Sequence, residues 1–441
     1  MARKVFLSVL GTGFYDKYNY GIGEFCTNSP TRFIQTATME FLGVKEWNKN
    51  DAIYILMTQN SRKDNWETSE SGTRLKKGAT EAEVYKGLSD EIKAMELPCI
   101  NDIDISIPDG QNEDEMWQIF DKLFSIIEDE DELYVDLTHS FRYIPMLMMV
   151  FCNYAKFLKH ITVKSITYGN IFNKREDGAA TINDITPLSI LQDWTSAADI
   201  FLSTGNVDKI SKIYLPEIRN RLRLSEGGDT DAKALNSFIN KITTIVKDIK
   251  SCQGKSLIEA NNIKNFKESL QAIENIDKPQ PFRPILESIE QSFSSFDTEE
   301  NIKNGIASAK WCADNGLYQQ AVTLLQESLI SHVCRMVNLD WKVLTNRELI
   351  SGAIHIKARG INEENWKIPN EMENGKAIII KVIGLPQIED ISNKFGLLAD
   401  LRNEFNHAAM LDKNQFSADN LIKKITDLTE EFYHLTYSKT L

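Results

Sequence analysis

The sequence predicts an α/β domain with a mostly parallel sheet over residues 1–193, followed by an all-helical region. Three observations predict it. Strand-like and helix-like segments alternate through the first part of the 441 residues, as successive βα units require. Three strand-like segments end in polar turns, at 11–13, 58–60 and 136–142, which a parallel sheet gathers along one edge. Beyond residue 194 the strand signal fades and helical spacing takes over.

Val5 to Leu10 is the first strand, and Gly11-Thr12-Gly13 is a turn whose backbone can approach a ligand. Thr31 to Leu42 has helical spacing, with Phe33, Ala37 and Phe41 on one face. Ala52 to Met57 is a continuous apolar run, the pattern of a strand covered on both faces. Glu81 to Met95 is a helix, Ile103 to Ile107 alternates like a strand, and Pro108-Asp109-Gly110 stops it. Met116 to Ile127 is a helix. A strand at 132–138 leads into a buried helix at about 142–159, and Val163 to Tyr168 is the last strand.

The helical region begins with segments at 194–202, 208–224, 231–250 and 256–275. Lys278-Pro279-Gln280-Pro281 breaks it and marks a boundary. Helices at 285–293, 298–315 and 317–339 follow. Residues 352–377 are polar and read as a long loop or insertion. A final pair, 387–410 and 417–437, completes an all-helical bundle.

The net charge of −13 argues against a duplex-DNA binder that works through generic backbone contacts. It permits a local basic cleft. The six cysteines, at 26, 99, 152, 252, 312 and 334, form no CxxC pair and read as reduced core thiols of a reducing compartment. The apolar stretch at 5–10 is too short for a signal peptide or a membrane span, which needs roughly 18 apolar residues. A cytoplasmic location is expected. No HExxH and no Cys/His cluster at zinc spacing occurs, so no metal site is expected. Gly11-Thr12-Gly13 lacks the third glycine of a dinucleotide fingerprint, and no Walker lysine motif appears.

Two stretches carry chemistry. Asp136-Leu137-Thr138-His139-Ser140-Phe141-Arg142 lies between a strand and a helix. A helix start offers N–H groups and a positive dipole to an anion. Thr138 and Ser140 add hydroxyls, and His139 and Arg142 add donors. The same residues also fit an ordinary N-cap built on Thr138 or Ser140. The second stretch is Leu398 to His407. Leu398, Leu401 and Phe405 share one helical face, which leaves Arg402, Asn403, Asn406 and His407 on others. Asn403 and His407 are one turn apart, as are Arg402 and Asn406. An arginine can stabilise a pentacoordinate phosphorus, and an imidazole can move a proton. A solvated helix face would have the same composition.

Together the two stretches resemble a CRISPR-associated family. Asp136 to Arg142 resembles the family's DxTHG motif. Arg402-Asn403-Glu404-Phe405-Asn406-His407 is similar to the HEPN pattern of Arg, a polar residue, three more residues and His. Members join an N-terminal Rossmann-like sensor, the CARF domain, to a C-terminal helical HEPN ribonuclease domain. The motifs occur here in that order, and the resemblance covers essentially the whole chain. Ser140 stands where the family usually has Gly, which leaves the ring size of the ligand open.

The resemblance implies a CARF sensor at 1–193, a helical connector at 194–283 and a HEPN domain at 284–441. It implies an activator, cyclic oligoadenylate, with the tetra-adenylate ring favoured over the hexa-adenylate. It assigns Thr12, Gly13, Asp136, Thr138, His139, Ser140 and Arg142 to that ligand. It assigns Arg402, Asn403 and His407 to metal-independent cleavage of single-stranded RNA, leaving a 2′,3′-cyclic phosphate, in type III CRISPR antiviral defence. A homodimer or higher even oligomer is expected, with no cofactor, no membrane and no stable DNA binding. Three rivals stay open: a sensor that degrades its own cyclic ligand, a ligand-controlled transcription regulator, and a non-catalytic helical assembly module.

Overall fold

The computed structural model describes residues 2–100, 103–139, 143–274, 281, 283–369, 372–408, 410 and 416–437. Ser140 and Arg142, both expected at the ligand edge, lie outside the described residues, as does most of the 278–281 break. The chain divides into two compact units, Met1–Gln192 and Asp193–Leu441.

The first unit is built on ten strands. They are β1 (Lys4–Leu10), β2 (Tyr20–Ile22), β3 (Phe25–Cys26), β4 (Ala52–Met57), β5 (Thr73–Leu75), β6 (Ala82–Val84), β7 (Asp104–Ser106), β8 (Glu132–Asp136), β9 (Thr162–Lys174) and β10 (Ala180–Asp184). Eight form one sheet in the order β3-β2-β10-β9-β8-β1-β4-β7. The stretch from β9 to β7 is parallel throughout. β10 turns back antiparallel to β9. β5 and β6 form a separate hairpin. The helices of this unit are α1 (Ile34–Phe41), the single turn α2 (Gln59–Ser61), α3 (Leu88–Ala94), α4 (Glu113–Ile126) and α5 (Ile144–Leu158).

Strand period two sorts β1 between two cores. Val5, Leu7 and Val9 enter one with Ile119 and Leu123 of α4 and Phe151 of α5. Phe6 and Leu10 enter the other with Ile53, Ile55 and Leu88. Ser8 therefore shares the Phe6 face. Each fully buried Val, Leu, Ile or Phe contributes about 1.5–3 kcal/mol, so this register is strongly specified. Because β1, β4 and β8 run parallel and adjacent, their polar ends lie along one edge.

Several sequence expectations are corrected. Residues 81–95 are not one helix. Ala82–Val84 pairs with Thr73–Leu75, and the helix starts only at Leu88. β2, β3, β5 and β6, of two or three residues each, carry no periodic signal of their own, and β10 is a further strand beyond the one expected to be last. The helix expected to be buried, α5, is amphipathic. It buries Ile144, Leu147, Met148, Phe151, Cys152 and Ala155 but leaves Met146, Val150 and Phe157 exposed.

The second unit is helical among the described residues. Its elements are α6 (Thr186–Thr204, which begins before the division), α7 (Asp208–Leu224), α8 (Thr230–Lys250), α9 (Gly254–Glu259), α10 (Asn261–Glu274), α11 (Arg283–Gln291), α12 (Lys303–Asp314), α13 (Tyr318–Met336), α14 (Leu344–Arg359), α15 (Gly375–Ile383), α16 (Ile388–Asn406) and α17 (Ala418–Tyr437). The expected connector at 194–283 and the domain at 284–441 are parts of this one unit. The helix expected at 256–275 is broken at Ala260, which adopts a left-handed φ of 64°. The expected loop at 352–377 is shorter, because α14 continues to Arg359 with Ala353, Ile354 and Ile356 buried.

No disulfide joins any of the six cysteines, and Cys99, Cys152, Cys312 and Cys334 are buried. Among the described residues no helix is long and apolar enough to cross a membrane.

Candidate functional site

Two groups of sequence-predicted residues are described, one in each unit. The first lies at the ends of β1 and β8. Parallel register places Ser8 beside Asp136, and period two puts both side chains on one face. The Ser8 hydroxyl donates to Asp136 Oδ2 at 2.7 Å. The Thr138 backbone N–H and hydroxyl donate to Asp136 Oδ1 at 3.2 and 2.5 Å. The Thr138 hydroxyl in turn accepts from the Gly169 N–H at 2.7 Å, which ties β8 to β9. Asp136 is 1% exposed, and burial pushes its carboxyl above the usual range, opposed by these hydrogen bonds. Asp136 and Thr138 thus shape the edge from behind.

His139 follows. Its ring stacks on Tyr15 at 3.9 Å between centroids. Its Nε2 is buried and has no hydrogen-bond partner among the described residues. Burial lowers its pKa from 6.5 to about 4, so the imidazole is neutral near pH 7. Tyr15 packs it against the first turn. A Cβ at Gly11 would meet the Tyr15 hydroxyl at 2.6 Å, so Gly11 is required there by close approach.

Thr12 and Gly13 are exposed at this turn. Their carbonyls are fixed by side chains that the sequence reading did not single out. Asn65 Nδ2 donates to Gly11 O and Gly13 O, both at 2.8 Å. Arg74, on the β5–β6 hairpin, donates to Thr12 O at 2.9 Å and to Asn65 Oδ1 at 2.6 Å. Asn65 is fully buried and also accepts from the Tyr85 hydroxyl at 2.6 Å. Arg32 donates to Tyr15 O at 2.7 Å and lies 4.7 Å from the Tyr85 ring centroid. The edge therefore carries a turn held in place by a half-buried guanidinium, Arg74, which also donates to Asp64 O at 2.9 Å and lies 3.7 Å from the Asp64 carboxylate. A signal for Asn65 existed in its place just after the polar end of β4. Arg74 sits on strands of three residues and left none.

The second group lies in the last turn of α16. Ile388, Ile391, Phe395, Leu398 and Leu401 are buried at helical spacing and anchor this helix, while Phe405 is half-buried. The helix ends earlier than the expected 410, at Asn406. His407 is its C-cap, and Ala408 turns out with a φ of 50°. Asn403, Asn406 and His407 are exposed and Arg402 is half-buried. No hydrogen bond joins the side chains of Asn403 and His407. Arg402 Nη1 instead donates to Gln326 Oε1 of α13 at 3.0 Å and lies 3.7 Å from Glu327 Oε1. A cation, an imidazole and two amides thus share one helix end, open to solvent. Among the described residues, no three His, Cys, Asp or Glu side chains meet as a metal site.

No family model matches the chain. An alignment of 329 positions that covers 72% of the chain is 25% identical to a CRISPR-associated protein of Methanocaldococcus jannaschii, which supports a CRISPR-associated family. The chain spans 44% of that protein's length.

Proposed function

We propose that this chain is a ribonuclease of CRISPR defence, switched on by a cyclic oligoadenylate. The observation that carries this reading is the end of α16, where Asn403, Asn406 and His407 are exposed beside an oriented Arg402. Similarity to a CRISPR-associated protein supports the biological setting.

In this mechanism the ribose 2′-hydroxyl attacks the adjacent phosphorus and the 5′-oxygen leaves. The products are a 2′,3′-cyclic phosphate and a 5′-hydroxyl. Arg402 offsets the charge that builds on the phosphoryl oxygens. His407 moves the proton between attacking and leaving oxygens, and Asn403 holds a ribose or phosphate oxygen. RNA is the substrate because the nucleophile is the 2′-hydroxyl, and the resemblance favours single strands. Two copies of the 402–407 segment, in a two-fold dimer, would double the cations around one phosphate.

The activator binds at the ends of β1 and β8. Thr12, Gly13 and His139 line the edge and Asp136 and Thr138 hold its shape; Ser140 and Arg142 are assigned to the ligand by the resemblance of the motif alone. Differential affinity of the ligand for two arrangements of the protein supplies the switch.

The test is cleavage of a fluorescent single-stranded RNA in EDTA, with cyclic tetra-adenylate, with cyclic hexa-adenylate, and with neither. A burst with one ring is expected, the tetra-adenylate first. Silence with both rings, while a control ribonuclease works, overturns the reading.

A further inference from the structure

Arg402 is exposed enough to meet a substrate, yet a long arginine on a helix surface samples many rotamers. Something must fix its direction. Gln326 is in the right place. It projects from α13, is 7% exposed, and its Oε1 accepts from Arg402 Nη1 at 3.0 Å. A buried amide is costly without a partner, and here the partner of the carbonyl is the arginine. Because the guanidinium is a rigid planar fork, fixing one N–H sets the direction of the others.

The neighbouring Glu327 is a weaker candidate. Its Oε1 is 3.7 Å from Arg402, beyond hydrogen-bond distance, and its carboxylate is 45% exposed. Its Oε2 is held by Arg347 Nη2 at 2.7 Å. It also borders a cavity of about 260 Å³ shared with Lys255, Lys342 and Arg347.

We infer that Gln326 is a positioning residue for Arg402, acting through the Oε1 to Nη1 hydrogen bond, a role that rests on the ribonuclease reading above. The test compares Gln326→Met, Gln326→Glu, Glu327→Gln and Arg402→Ala with the wild type in activator-dependent RNA cleavage, alongside thermal unfolding. Gln326→Met is apolar and of similar volume, so a buried site accepts it. It removes a hydrogen bond to a charged group, and kcat falls about 10- to 100-fold with KM within about twofold. Gln326→Glu keeps an acceptor and retains more activity than Gln326→Met. Glu327→Gln stays within about threefold of wild type, as an exposed pair should.

Wild-type kcat in Gln326→Met, with Arg402→Ala inactive, overturns the positioning role and leaves the ribonuclease reading standing. Equal losses in Gln326→Glu and Gln326→Met also overturn it, because the acceptor would then not matter. Should Gln326→Met unfold, Gln326→Glu decides alone, and cleavage below about one-hundredth of wild type refutes the role. Absence of cleavage in the wild type overturns the ribonuclease reading and this role together.

Discussion

At the end of β8 the polar side chains bond to one another, whereas at the end of α16 they face solvent. Asp136 takes three hydrogen bonds, from Ser8 and twice from Thr138, while almost fully buried. Asn403, Asn406 and His407 are exposed. The two stretches look equally rich in chemistry as strings of letters. Their surroundings differ because a strand inside a parallel sheet is covered on both faces, and a surface helix is covered on one. A polar residue at a covered strand end must find partners within the protein. A polar residue on an open helix face is left available.

The comparison breaks most visibly at α16. His407→Ala and Arg402→Ala should each lower RNA cleavage by about 10²- to 10⁴-fold, with activator affinity by calorimetry unchanged. His407→Ala should unfold within a few degrees of wild type, since exposed substitutions usually change stability by about 0.5 kcal/mol or less, whereas Arg402→Ala also strands the buried Gln326 carbonyl and should cost about 1–3 kcal/mol. Full cleavage in both variants would return this turn to the status of a solvated helix face.

At β8 the prediction is reversed: stability changes first. Asp136→Ala strands the donors of Ser8 and Thr138 and should cost about 4 kcal/mol in denaturant unfolding. Asp136→Asn keeps one acceptor, and the Ser8 hydroxyl can rotate to accept from the new amide, so it should cost less. The pH dependence follows from the direction of the shift. A carboxyl held above its ordinary value of 3.8 by burial contributes stability that is complete below that value. It is lost as the pH rises through the raised folded value. Wild type should therefore weaken relative to Asp136→Asn as the pH rises. A constant difference between them would mean that Asp136 is not the titrating group.

His139 has the opposite sign. Its pKa falls from 6.5 to about 4 on burial. Its contribution is complete above 6.5 and lost as the pH drops toward 4, because the unfolded chain takes up the proton first. The loss amounts to roughly 3 kcal/mol over that window. His139→Phe keeps the stack on Tyr15 and should flatten this acid limb. An unchanged limb in denaturant titrations at pH 4 and 7 would place the titration elsewhere.

The parallel strands β1, β4 and β8 were legible from their apolar runs, unbroken in β4, interrupted by Ser8 in β1 and three residues long in β8. The amphipathic spacing of α16 made Leu398 and Leu401 legible as its anchor. The gathering of polar strand ends followed from topology alone. What the sequence could not disclose was which polar atoms satisfy each other. Ser8 reads as one serine in an apolar strand until the register sets it beside Asp136. Asn65 and Arg74 fix the first turn from segments 52 or more residues away in the chain, and no local pattern announces such partners. Gln326 lies 76 residues from Arg402 on a helix whose buried face looks apolar. The end of α14 was missed because His355, Lys357 and Arg359 alternate there with the buried Ala353, Ile354 and Ile356.

The mildest test concerns the first turn and asks how rigid the edge is. Gly11 sits under the Tyr15 hydroxyl, and an added Cβ would stand 2.6 Å from it. Tyr15 cannot move freely, because its ring is stacked on His139 and its carbonyl accepts from the buried Arg32. Gly11→Ala should therefore cost about 1–2 kcal/mol as an overpacking substitution. Tyr15→Phe removes the atom in the way, so the double variant should recover part of that cost. A double-mutant cycle in denaturant unfolding reads this coupling directly. Additive effects would mean that the turn yields instead of the ring. The edge would then be a loose loop with no preset shape, and the contrast with α16 would rest on burial alone.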